Sequence, residues 1–253
     1  MMKLIGIEWL KLKRLMTLKV ILLVYMVLVP TMYILLSLLE VGPIRIPIEG
    51  YQFPDSYQLV AWTASWLNLM VGIIIIVFAT NELKYKTQRQ NVIDGLSKRD
   101  IIFSKFLVIL GLTSFVTIYT FLVAFVIGLY NSSTGSPLDG IGFIGVYFIS
   151  TMGYFSFAFF FANLVRLPAL AIVIYIFSTI IEWIVGLIAV QEYVQFSPLT
   201  TFAQLCPFPM HFWVAEGRPN PLLMDTMERS ILAMVYVAIF MISSYWIIKR
   251  RDV

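Results

Sequence analysis

Six long runs of the chain carry almost no charge, and their length leaves few folds open to it. They cover residues 20–39, 56–81, 106–138, 140–165, 167–190 and 230–248. Each supplies the ~20 mostly apolar residues that a helix rising ~1.5 Å per residue needs to cross ~30 Å of hydrocarbon. A soluble domain of 253 residues could not hide them, because 60% of the residues are apolar and the mean hydropathy is +0.89. The sequence therefore predicts an all-α polytopic membrane protein with a single transmembrane domain. Its spans are expected at about residues 20–39, 57–80, 106–130, 140–164, 168–190 and 230–248.

The basic residues then give the chain an orientation. Threading six spans back and forth puts Lys3, Lys11, Lys13, Arg14, Lys19, Lys84, Lys86, Arg89, Lys98, Arg99, Lys105, Arg166, Lys249, Arg250 and Arg251 on one side, fifteen of the eighteen Lys and Arg. Only Arg45, Arg218 and Arg229 fall opposite. By the positive-inside rule both termini are cytoplasmic. Membrane orientation and anionic headgroups account for the net charge of +4, so nucleic acid is not an expected partner. The first run lacks a small-residue cleavage site and reads as a retained span and not a signal peptide. The single Cys206 allows no disulfide within the chain, and His211 brings no second Cys/His cluster, so no metal site is expected.

Residues 1–19 are basic and periodic. Ile5, Trp9, Leu12 and Met16 form one helical stripe, with Lys3, Lys11 and Arg14 on the other side. That pattern predicts an interfacial amphipathic helix on the inner leaflet; an ordinary basic flank that only sets topology is the alternative. The outer segments 40–55, 131–139 and 191–229 hold nine of the eleven prolines and read as irregular. The last of them is too apolar for a free loop, with Phe196, Phe202, Phe208 and Trp213 among its residues, and is expected to dip back into the bilayer or cap the outer mouth.

Few polar residues lie within the runs. Glu182 is an acid deep in the fifth, where a charge costs at least ~2.5 kcal/mol on insertion scales. Two readings are open for it: a contact on a substrate path, or a carboxyl held in an outward vestibule or buried with its proton. Asn68, in the second run, is a weaker path candidate that also suits helix packing, as do Gly142, Gly145, Gly153, Ser243 and Ser244. The aromatic crowd from Tyr147 to Phe161 could line a path for a greasy substrate, but reads rather as lipid-facing and packing surface.

One inner loop is long and polar, residues 81–100. Tyr85, Val92, Ile93 and Leu96 mark a helical face there, and Gly95 breaks it. A short cytoplasmic helix continuous with two spans is suited to transmit force from a soluble partner; a solvated connector is the alternative.

With Glu82, Thr87, Arg89, Val92, the run Gly95-Leu96-Ser97-Lys98-Arg99 and Lys105, this loop resembles the corresponding loop of type 2 ABC exporter permeases, the membrane subunits of bacterial drug and peptide-antibiotic export or immunity systems. Lys86 stands where that family usually has Gly, and Gly95 where it usually has Pro. The layout also fits: a basic opening Glu8-Trp9-Leu10-Lys11-Leu12-Lys13-Arg14, six spans, an apolar outer segment before the sixth and a short basic tail.

The resemblance implies a half-transporter in the bacterial plasma membrane, paired with a second copy or a sister permease and with separate ATPase subunits. Those subunits would hold ATP and Mg, and this chain no cofactor; it has no GxxxxGK[ST] loop and no Ser/His/Asp set, so it is not expected to be an enzyme. Coupling to the ATPase would fall to Glu82, Tyr85, Thr87, Arg89, Val92, Ile93, Gly95, Leu96 and Ser97. Trp9, Lys11 and Arg14 would act from the interfacial helix, with Glu82 tied to Lys11 or Arg14. The expected substrate is amphipathic or hydrophobic: a peptide antibiotic, a drug or a lipid-like molecule. A secondary transporter or channel is the other reading, and should show several buried ionisable groups or broken helices; on sequence only Glu182 fits it.

Overall fold

A computed structural model of the chain describes residues 2–38, 48–85, 97–132, 136–188, 191–208 and 224–250, and among them there is no strand. The helices are α1 (Met2–Arg14), α2 (Met16–Leu38), α3 (Asp55–Ser65), α4 (Asn68–Lys84), α5 (Lys98–Asn131), α6 (Gly142–Val165), α7 (Pro168–Ile188), α8 (Gln191–Val194), α9 (Pro198–Gln204) and α10 (Thr226–Lys249). Five of them, α2, α5, α6, α7 and α10, are long and apolar enough to cross a membrane. The pair α3 and α4, bent by 48° at a short break, meets the same test when taken together, which brings the candidate spans to six if the pair is one span. The chain is an all-α polytopic membrane protein.

That bend breaks the second expected span, and neither proline nor glycine marks it. Thr63 and Ser65 donate their hydroxyls back to the Val60 and Trp62 carbonyls at 2.9 and 2.7 Å, and the Leu67 amide bonds Ala64 three residues back at 3.0 Å. Side-chain competition and tightened three-residue turns of this kind bend helices.

The fourth span, α6, forms the centre of the bundle. Its central window is 67% buried, against 11% for α2 and α7. Tyr147, Tyr154, Phe155, Phe157 and Phe159 lie inside, so most of the aromatic crowd serves as packing surface and only part of it is left to face lipid. In lipid there is no hydrophobic drive between helices, so shape and polar contacts choose the partner, and here the rings pack in tilted and edge-to-face pairs such as Phe157 with Phe161 and Phe240. Glycines admit the close approaches, two of them between helices of this part of the bundle. A Cβ on Gly72 would overlap the Tyr175 hydroxyl of α7, and one on Gly153 would strike the Phe202 ring of α9.

The third span begins earlier than expected. A capping box starts α5: the Ser97 hydroxyl accepts from the Asp100 amide at 3.2 Å, and the Ser97 amide donates to Asp100 Oδ2 at 3.1 Å. The described ends of the expected coupling segment, Asn81–Lys84 and Lys98–Asp100, are thus turns of the span helices themselves. At the N-terminus α1 stops at Arg14 and α2 starts at Met16, so Met16 leaves the interfacial stripe and is exposed on the first span.

On the other side of the bundle, the described part of the last outer segment packs back onto the spans. Ser150 donates to the Phe202 carbonyl at 2.8 Å, Gln58 donates to the Pro207 carbonyl at 3.3 Å, and the buried Arg229 donates to Gln204. Leu199, Phe202, Leu205 and Cys206 are buried beneath it.

Candidate functional site

The ends of α4 and α5 flank residues 86–96, and α1 lies against both of them through four charged side chains. Lys105 Nζ, on α5, donates to Glu8 Oε2 of α1 at 2.5 Å and lies 2.6 Å from Glu82 Oε1 of α4. Lys11 Nζ, on α1, donates to Glu82 Oε1 at 3.0 Å and to Glu8 Oε1 at 3.3 Å. Glu8, Glu82 and Lys105 are each at most 5% exposed. Lys105 also rests over the Phe78 ring, 4.2 Å from its centroid, so an aromatic face covers the ammonium where no carboxylate does.

Sequence spacing explains how one short helix reaches both partners. Glu8 and Lys11 are three apart on α1 and share a face. Leu12, one residue beyond, is buried in the core and fixes that face inward. The two acids and two lysines cancel, which offsets much of the cost of removing them from water. Burial works to lower the Lys11 pKa, but Glu82 and Glu8 outweigh it and hold the ammonium above the ordinary lysine value.

Of the residues expected to couple, the structure brings Glu82 and Lys11 into direct contact. Arg14 ends α1 exposed to solvent. Trp9 lies within α1, and its side chain is outside the described residues. Tyr85 caps α4 and is 68% exposed. Ser97 is the N-cap of α5. Thr87, Arg89, Val92, Ile93, Gly95 and Leu96 lie outside the described residues. Glu8 and Lys105 complete the cluster; the sequence places both in the family-like motifs but gives neither a coupling role. The available signal was that Glu8 is the first acid of the chain and the only one before residue 40.

The two path candidates have different surroundings. Asn68, the first residue of α4, is fully buried just after the bend and accepts from Tyr147 at 3.0 Å and Thr151 at 3.3 Å. Tyr147 spends its one hydroxyl hydrogen there, so Tyr25 donates to Tyr147 across 2.8 Å; Thr120 stands 2.7 Å from Tyr25. One polar chain thereby links α2, α4, α5 and α6, and Asn68 Nδ2 has no partner in it. Glu182 projects from α7 toward the start of α9, where Ser197 and the amides of Leu199 and Thr200 act on its carboxylate. Both of its oxygens are shielded from solvent and lack a hydrogen bond of full geometry.

Compared with known protein families, residues 4–190 match the model described as ABC-2 family transporter protein. No curated protein matches the chain.

Proposed function

The chain belongs to the ABC-2 transporter family, and from that premise we propose that it is the half-transporter of an exporter driven by a separate ATPase subunit, with residues 81–100 as the element that receives the drive. The observation that carries this reading is the buried four-charge cluster. A loop that must pass force into the bilayer needs ends that do not slip, and Glu82 and Lys105 anchor its two sides to each other and to α1.

In this reading the ATPase docks on the apolar positions Tyr85, Val92, Ile93 and Leu96, while Arg89, Lys98 and Arg99 meet acidic groups at its rim. Nucleotide and Mg are held in the ATPase. A second copy of this chain or a sister permease completes the transporter. Both termini face the cytoplasm of a bacterial cell, as the basic residues of the inner segments support. The substrate is amphipathic or hydrophobic and is taken from the membrane.

The test is co-purification with an ATPase encoded in a neighbouring reading frame. Val92→Asp with Leu96→Asp should release the ATPase from the membrane fraction, because two charges would be buried without partners. Glu82→Ala should keep the complex together and uncouple hydrolysis from transport. Normal retention and export by the doubly substituted chain would remove residues 81–100 from the coupling role.

A further inference from the structure

An apolar groove lies beside the ion cluster, beneath the corner where α1 turns into α2. Leu12 of α1, Leu18 and Leu22 of α2, and Val108, Gly111 and Phe115 of α5 line it, and its volume is about 250 Å³. That is room for on the order of eight groups the size of a water molecule, ~30 Å³ each, or a comparable number of methylenes. The polar groups on its wall are already engaged. Ser104 donates its hydroxyl to Ile101 of the same helix at 2.8 Å, and the Glu8 carboxylate is held by Lys105 and Lys11. Water in the groove would therefore find few partners, whereas a hydrocarbon chain would lose nothing by entering.

The chain is basic next to the lining residues Leu12 and Leu18, at the corner between α1 and α2. Lys13 and Arg14 close α1, Lys19 opens α2, and all three are exposed. An acyl chain seated between Leu12 and Phe115 would carry its headgroup toward this corner. Lysine and arginine there favour a phosphate with net negative charge, because basic residues at a bilayer surface attract anionic lipid. The neutral ion cluster adds no repulsion.

We propose that this groove is a binding site for one acyl chain of an anionic phospholipid, with the phosphate at Lys13, Arg14 and Lys19. The lipid packs beside Leu12 between α1, α2 and α5. The proposal depends on the exporter reading only for the leaflet that supplies the lipid.

Gly111 allows a clean perturbation: a Cβ added there meets no atom within 4 Å, so a larger side chain grows into the groove and not into a helix. The full chain would be placed in nanodiscs of phosphatidylglycerol and phosphatidylcholine, with a phosphatidylglycerol probe bearing a photoreactive acyl chain, and the adducts mapped by peptide mass spectrometry. Adducts should concentrate on peptides containing residues 18–22 and 104–115, several-fold above those of α7. Unlabelled phosphatidylglycerol should compete and phosphatidylcholine should not. Gly111→Phe should remove most of the focus, with Gly111→Leu as the milder variant if the first does not fold. Replacing Lys13, Arg14 and Lys19 by Ser should abolish the headgroup preference.

Adducts spread evenly over every exposed span, or unchanged by both Gly111 variants, would overturn the site. Equal competition by the two lipids would overturn the anionic assignment. Loss of ATPase co-purification with labelling intact would count against the exporter reading and leave the lipid site standing.

Discussion

Lys105 of the third span and Glu8 of the N-terminal helix meet at 2.5 Å, although 97 residues separate them in sequence. Each is almost wholly buried, so each charge stays inside only because the cluster neutralises it, Lys105 through Glu8 and Glu82 and Glu8 through Lys105 and Lys11. Lys105→Met should therefore destabilise the protein by roughly 3–5 kcal/mol, the range for removing one partner from a buried ion pair. The double variant Lys105→Met with Glu82→Gln removes one charge of each sign and should recover part of that loss. Thermal unfolding in detergent measures both, and a neutral Lys105→Met would show that water reaches the cluster.

Lys11 adds a pH dependence with a definite sign. Its folded pKa lies above the ordinary 10.5, so its contribution is complete below that value and is lost only as pH rises through the folded pKa. The stability gap between the wild type and Lys11→Met should hold constant from neutral pH to about 10 and narrow above it. A gap that closes near neutrality would assign the dependence to some other group.

Cys206 gives a built-in control for topology. It is buried, and burial pushes its thiol up to about 12, so little thiolate is available to react. Impermeant maleimide applied to intact cells should leave the native chain unlabelled, and a cysteine placed at Gln90 should label only after permeabilisation. Labelling of Gln90 from outside would reverse the proposed orientation.

Glu182 separates transport from architecture. If its carboxylate contacts substrate or a water-filled path, Glu182→Gln should change transport or its pH profile between about pH 5 and 8, with expression and assembly intact. If it serves only the start of α9, the variant should transport as the wild type does at every pH and lose thermal stability instead.

Much of the bundle is legible in the charge pattern, because hydrocarbon enforces the length and apolarity of a span locally. The contact between Glu82 and Lys11 is also legible, as an acid at a span exit with a basic helix nearby. The partners Glu8 and Lys105 are harder, since their meeting depends on how α1, α4 and α5 pack, and no local period encodes that. The bend at Trp66 has the same origin: Thr63 and Ser65 are tolerated in straight helices, and here the buried polar chain of Asn68 lies just past the break. A broken span and buried charges also belong to secondary transporters. In this chain four of the buried charges sit at the cluster that joins α1 to the ends of α4 and α5, where two acids and two lysines cancel.

The third span has a mechanical consequence. As 34 residues of unbroken helix, α5 is about 51 Å long at 1.5 Å per residue, well beyond the ~30 Å of the hydrocarbon. Gripped at Lys105, it is a rod with a short arm of about 10.5 Å to Lys98 and a long arm of about 39 Å to Asn131. If the loop is pushed as proposed, the far end would travel about four times as far as the near end about that fulcrum, so a shift of ~1 Å at the loop would become ~4 Å across the membrane.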